Sequence, residues 1–238
     1  MSTDLAKRVE VLEKQIALLM SKEDVKKERV FQKIDNNNNN NNNMLLREYQ
    51  NNEIIVSFYA CGTSPINNLS NFSFIKQGII YDGITYYSTE HAFQSQKYIK
   101  EQRHRFSIDG DLGNIETGFL LVFGNDKCEK KKQFWMKKNN VGIIAKMATN
   151  PKIGKKLGLI RDNNFVSSDE LWINILTSKF NISTFKNILL QTENNYLLEF
   201  DRNAERTNPL WSGIIKNNKL YGNNLMGQYL MFVRTIIK

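Results

Sequence analysis

The sequence predicts an α+β fold that is predominantly helical. Three observations carry that expectation. Apolar residues recur at helical spacing through most of the second half of the chain. One Asp-Gly pair, Asp82-Gly83, separates two short apolar runs, and one other segment, 53–59, reads as a strand. The 238 residues suit a single domain with a small sheet or hairpin, preceded by an appendage.

The appendage comes first. Leu5, Val9, Leu12, Ile16 and Leu19 alternate spacings of four and three, which is a coiled-coil seam within residues 4–34. A coiled-coil helix over 1–35 is therefore expected, with a homo-oligomer as the partner it implies. A lone amphipathic helix docking on its own domain would show the same stripe. Residues 36–43 are all Asn, a poor helix and strand former with nothing to bury, and read as a linker. The domain then spans 44–238.

Within it, Ile54, Ile55, Val56, Phe58 and Tyr59 predict a buried strand. Asp82-Gly83 between Ile79-Ile80 and Ile84-Tyr86 predicts a type I′ hairpin. The stretch 87–97 predicts a helix capped by Ser88, whose hydroxyl can accept an unsatisfied amide hydrogen of the first turn. Segment 101–160 carries little periodicity and reads as an insertion, with Asn150-Pro151 as a turn between helices. Ser167 and Glu170 have capping-box spacing ahead of Leu171, Trp172, Ile175 and Leu176, and Phe185, Ile188 and Leu189 continue the helical spacing. The last helix carries two stripes, Leu225, Tyr229, Phe232, Ile236 and Met226, Leu230, Val233, Ile237, which predict a central helix apolar on two sides.

Composition excludes several classes. No apolar run is long enough to span a membrane, and the N-terminus lacks the apolar core of a secretory signal. Cys61 and Cys128 have no metal-ligand spacing, and His91 and His104 are the only histidines, so no metal and no cofactor is expected. Unpaired cysteines fit a reducing, cytoplasmic compartment. The net charge of +9 suits an anionic partner, a phosphate or nucleic acid, though a Lys- and Asn-rich coding bias accounts for it equally. Six Lys between 127 and 138 read as a solvated helix face.

The chemistry concentrates in 87–97. Glu90, Gln94 and Lys97, at spacings of four and three, share one helix face beside Ala92 and Phe93. An acid, an amide and an amine next to aromatics furnish a small polar pocket. A first-turn Glu is also stabilised by the helix dipole without any chemistry.

Other segments stand in order around this one: Leu69, Ser70, Asn71, Phe72 and Phe74; Lys179-Phe180; Leu189-Leu190 with Thr192; Leu198-Glu199; Trp211 with Gly213; and Gly222, Asn224, Leu225 and Gly227 ahead of Leu230 and Arg234. Over about residues 54–236 the set resembles the NADAR, or YbiA-like, family of N-glycosidases acting on ribosylated bases. The resemblance implies a YbiA-like domain and a phosphoribosyl or ADP-ribosyl small-molecule substrate. It implies Glu90 as the motif carboxylate and Lys97 as the motif lysine, a phosphate binder, acid modulator or amine nucleophile. Ser70, Asn71, Phe72, Tyr87 and Gln94 would contact the substrate, Phe165 and Trp211 would form aromatic walls, and Asn224 and Gly227 would seat a phosphate at a helix start. Two positions depart from the family pattern. Asn208 stands where the family carries an aspartate, so Asp201 or Glu205 can supply that charge instead. Phe165 is the nearest counterpart of a family tryptophan. The activity implied is hydrolysis of phosphoribosylamino-pyrimidine intermediates of riboflavin biosynthesis. Removal of ADP-ribose from guanine and a catalytically inactive ADP-ribose binder are the alternatives.

Overall fold

The computed structural model describes residues 54–62 and 64–238. The coiled-coil helix and the Asn linker expected over 1–43 lie outside the described residues. The fold is mixed helix and strand, with helix in excess, as the periodicity predicts.

Strand β1 (Ile55–Phe58) is followed by a 3-10 turn (Pro65–Leu69), then β2 (Ile79–Tyr81) and β3 (Ile84–Tyr86). Helices α1 (Thr89–Ser95), α2 (Lys100–Arg103), α3 (Ile115–Phe123), α4 (Asn125–Lys137), α5 (Ile143–Ala148), α6 (Pro151–Lys156), α7 (Asp169–Phe180) and α8 (Ser183–Leu190) follow. Then come β4 (Tyr196–Glu199), α9 (Ala204–Thr207), β5 (Ile214–Lys216), β6 (Lys219–Tyr221) and α10 (Leu225–Ile236).

The first hairpin is the one that Asp82-Gly83 predicts. Both residues take positive φ, +50° and +74°, as a type I′ turn requires. A second hairpin, β5–β6, turns on Asn217 and Asn218 at +51° and +60°. Asn tolerates this region better than most residues.

β1 pairs in parallel with β4, Ile55 opposite Tyr196 and Phe58 opposite Glu199. Successive side chains of β4 face opposite ways. Leu197 joins the main core with Phe58 and the helices. Tyr196 and Leu198 face a smaller cluster with Leu220, Ile55 and Ile215 beneath the second hairpin. β4 is thus buried on both faces, while the strand expected over 53–59 is buried only in part: Phe58 is in the core, but Ser57 is exposed and the flanking Ile54 and Tyr59 are 64% and 46% exposed.

Three boundaries differ from the sequence reading. The cap of α7 is Ser168, whose Oγ accepts from the Leu171 amide at 3.1 Å; Glu170 therefore falls in the first turn. The run through Leu189 breaks after Phe180 into a separate helix, α8. In α10 the Met226, Leu230, Val233 stripe is core, but Ile236 is 45% exposed, so the helix is buried mainly on one side. Segment 101–160 contains α3 to α6. The shortness of α5 and α6, an α4 with no buried residue, and close packing at Gly118, where a Cβ would stand 2.7 Å from Ile144, explain the weak periodicity. No helix of the described residues is long and apolar enough to cross a membrane.

His91 is fully buried at the start of α1, its Nδ1 2.8 Å from Ser88 Oγ. Burial lowers its pKa to about 4. Its unfolded form titrates near 6.5, so its neutral buried state favours folding fully above that pH. That contribution is lost as pH falls from 6.5 towards 4, on the order of 3 kcal/mol in all. Urea midpoints measured between pH 7.5 and 4.5 are expected to fall, and His91→Gln is expected to flatten that fall.

Candidate functional site

A cavity of about 580 Å³ opens where α1, α5, α7, the end of β4 and the loop before β5 meet. Ser88 caps α1, its Oγ accepting from His91 N at 3.2 Å, which fixes Glu90 in the first turn. The Asn71 carbonyl ties the preceding loop to that turn by accepting from Glu90 N at 2.9 Å and Thr89 Oγ1 at 3.0 Å.

Glu90 is 2% exposed. Gln94 Nε2 donates to its Oε1 at 2.7 Å, one helical turn on, and Asn71 Nδ2 donates to its Oε2. An amide hydrogen is directed at each oxygen, which favours the ionised form. Burial nevertheless dominates and raises the pKa above the ordinary carboxylate value, with Lys146, Gln94, Lys97 and Asn71 pulling the other way.

Lys146 reaches the site because Gly142 lets α5 approach. A Cβ on Gly142 would stand 2.8 Å from Phe72 Cα and 2.9 Å from Glu90 Cβ. Lys146 Nζ comes within 4.0 Å of Glu90 Oε1 and is otherwise exposed. Arg161 is drawn to the same mouth by a bridge between Tyr98 and Arg161, with Asp162 N donating to Lys97 O at 3.0 Å. Lys97 lies over the Phe93 ring, 4.8 Å from its centre. Its pKa is lowered by burial and further by Lys146 and Arg161, with Glu90 opposing. Three cations therefore crowd one opening, and an anion placed among them would relieve their repulsion.

The second carboxyl lining the cavity is Glu199. It ends β4, two residues after Leu197 and so on the same face, that of the main core. Burial, then the charges of Glu90 and Asp201, push its pKa up to about 8. Both carboxyls thus lie above the ordinary carboxylate range, but in different surroundings: Glu90 has an amide donor on each oxygen, and Glu199 has two neighbouring acids. Unequal surroundings of this kind can separate an acid from a base in one site.

Aromatic rings form the walls. Trp172 stacks on Phe93 at 3.9 Å and meets Trp211 at 5.2 Å; Phe165 stands edge-on to Phe93 at 6.1 Å. An indole is thus present in the wall beside Phe165. The Trp172 Nε1 hydrogen is buried without a partner, as are Asn71 Oδ1 and Gln94 Oε1.

The fold brings together Asn71, Phe72, Glu90, Gln94, Lys97, Phe165 and Trp211. It places the other expected site residues elsewhere. Ser70 lies behind the wall, its Oγ accepting from Phe72 N at 3.3 Å. Tyr87 packs against Phe74 at 5.1 Å. Asn208 is exposed and ends α9 in the left-handed region at φ +42°, a conformation that favours Asn over most side chains and gives the amide a structural reason. Asp201 Oδ1 accepts from Asn203 N at 2.8 Å, and Glu205 pairs with Lys216.

Asn224 and Gly227 do not form an anion seat. Both Asn224 amide hydrogens are used, on Leu197 O at 2.8 Å and Tyr196 Oη at 3.0 Å, and its Oδ1 accepts from Glu199 N at 2.9 Å. A Cβ at Gly227 would collide with the Leu197 carbonyl. These two residues lock α10 to β4 and so fix Glu199. Glu199, Lys146, Arg161 and Trp172 line the cavity without having been singled out as site residues. Only Leu198-Glu199 carried a signal, as a motif element without an assigned role. Among the described residues no group of His, Cys, Asp or Glu is arranged to hold a metal ion.

No protein-family model matches the chain, and no curated protein matches it. Among solved structures it is similar to the NMR structure of the E. coli protein YbiA, at 20% identity over 78% of this chain and 85% of that one, with a TM-score of 0.47.

The cationic mouth is expected to hold a phosphate group, and ribose 5-phosphate serves as the probe. The double substitution Lys146→Met with Arg161→Met is expected to weaken its Kd by about tenfold or more, and salt is expected to weaken the wild-type complex. Isothermal titration at two ionic strengths checks both.

Proposed function

We propose that the chain is an N-glycosidase. It hydrolyses the N-glycosidic bond of phosphoribosylamino-pyrimidine intermediates of riboflavin biosynthesis, releasing the base and ribose 5-phosphate. The observation that carries this reading is the unequal carboxyl pair in one cavity: Glu90 with an amide hydrogen on each oxygen, Glu199 with its pKa pushed up to about 8. The pyrimidine identity comes from the motif resemblance; the cavity chemistry supports the bond type.

The roles follow from charge. As the C–N bond lengthens, positive charge develops on the sugar ring, and the Glu90 carboxylate faces it. Glu199 gives its proton to the departing nitrogen. Water adds to the anomeric carbon and yields a proton to Glu90, so the net change is one water consumed and one C–N bond broken. The rings of Phe93, Phe165, Trp172 and Trp211 give a planar base apolar faces to lie against. Lys97, Lys146 and Arg161 hold the phosphate. Lys97 is assigned to the anion because it stands with two other cations at the mouth, although burial and those cations also lower its pKa, as an amine nucleophile would require.

A second reading, removal of ADP-ribose from guanine, is favoured by the apolar rim. Leu210 lines the cavity and is 44% exposed, an apolar edge against which a larger substrate could extend.

The test is the pH dependence of base release. Activity needs Glu90 ionised and Glu199 protonated, so it rises with pH on the acid side and is lost as pH climbs through about 8. Glu90→Gln and Glu199→Gln are each expected to lower kcat by about a hundredfold or more. Glu199→Gln is also expected to remove the alkaline limb. A Glu199→Gln variant with wild-type rate and profile would eliminate Glu199 as the acid.

A further inference from the structure

Lys179 is the one charged side chain among the described residues with no exposure at all, and the cavity does not reach it. It sits on α7 against the rings of Phe180 and Phe185, 5.3 and 5.2 Å from their centres. Removing an ammonium from water into such surroundings costs several kcal/mol, which a methionine of similar volume would not incur. Its Nζ donates to the Ser70 carbonyl at 2.7 Å. The next residue, Asn71, ties its carbonyl to the start of α1 and its amide to Glu90 Oε2. Glu199 is the charged group that acts on Lys179, opposing the effect of burial on its pKa.

We propose that Lys179 is a positioning residue for the carboxyl pair: from behind the cavity wall it fixes the Ser70–Asn71 segment that holds Glu90, and its positive charge faces Glu199. The inference rests on reading Glu90 and Glu199 as the reacting pair. Its geometry is a relay from ammonium to carbonyl, along one peptide, to the amide that donates to Glu90. Burial lowers the lysine's own pKa to about 7, with Glu199 opposing, so its charge is itself adjustable near neutral pH.

The other groups that bear on the pair are known. Glu199 faces Glu90, Asp201 and Lys146 besides Lys179. Glu90 faces Lys146 and Lys97. The helices packed against α7 also carry buried His91 on α1 and Tyr229 and Arg234 on α10. Removing Lys179 loosens Asn71, which takes away a hydrogen bond that lowers Glu90's pKa, and removes a charge that lowers Glu199's. Both carboxyls then titrate at higher pH.

The test reads this without any enzymatic rate. In the full chain, the side-chain carboxyl 13C resonances of Glu90 and Glu199 are assigned through Glu90→Gln and Glu199→Gln and titrated. In Lys179→Met both are expected to move upward by about half a pH unit or more. In Lys179→Gln, which keeps a donor for the Ser70 carbonyl but no charge, Glu199 is expected to move while Glu90 stays closer to wild type. A Glu90 resonance unmoved in Lys179→Met, with only thermal stability lowered, overturns the proposal. So does a chain that folds with neither substitution, since Lys179 would then act on the fold alone. Absence of base release by wild type would instead count against the proposed function.

Discussion

A carboxylate buried to 2% exposure persists as an anion only if donors replace its water, and that requirement organises the site around Glu90. Gln94 answers it from within α1, one turn on. Asn71 answers it from a separate loop, which must then be held in place. Two hydrogen bonds from the start of α1 to the Asn71 carbonyl hold that loop from the front, and Lys179 on the Ser70 carbonyl holds it from behind. Gly142 lies against the same loop and brings α5 with it, so Lys146 arrives near Glu90 as a consequence of packing. Three elements far apart in sequence thus converge on one side chain.

The second carboxyl depends on a different lock. β4 is buried on both faces, and its last residue, Glu199, is fixed where its amide donates to Asn224. Gly227 allows α10 to lie against the Leu197 carbonyl. The Asn224 and Gly227 motif is therefore a structural joint for an acid twenty-five residues upstream. Burial and the nearby charges of Glu90 and Asp201 push that acid's pKa up to about 8, and the proposed reaction gives the two glutamates different roles because their environments are unequal.

Half of this was legible in the sequence. Ser88 as a cap and the spacing of Glu90, Gln94 and Lys97 are local facts, and a helix converts them directly into one face. Asp82-Gly83 likewise fixes its own turn. Glu199 was not legible as an acid in the site, because Tyr196-Leu197-Leu198 shows no alternation when both faces of the strand are buried. Trp172 read as one more residue of an apolar stripe. Lys146 sits on the short α5 and Arg161 in a loop past α6, where no period marks which side faces the cavity. Asn208 illustrates the opposite error: it stands where the family that the motifs resemble carries an acid, yet its left-handed backbone at the end of α9 suits an amide and leaves it in solvent.

The central claim is that this cavity breaks an N-glycosidic bond. The most direct measurement incubates purified protein with a phosphoribosylamino-pyrimidine and follows both products by chromatography and mass spectrometry. The account predicts base and ribose 5-phosphate appearing in equal amounts with wild type, at a rate far above that of the Glu90→Gln protein. Tight binding of the substrate with no release of base, or release equal in the two proteins, would contradict it.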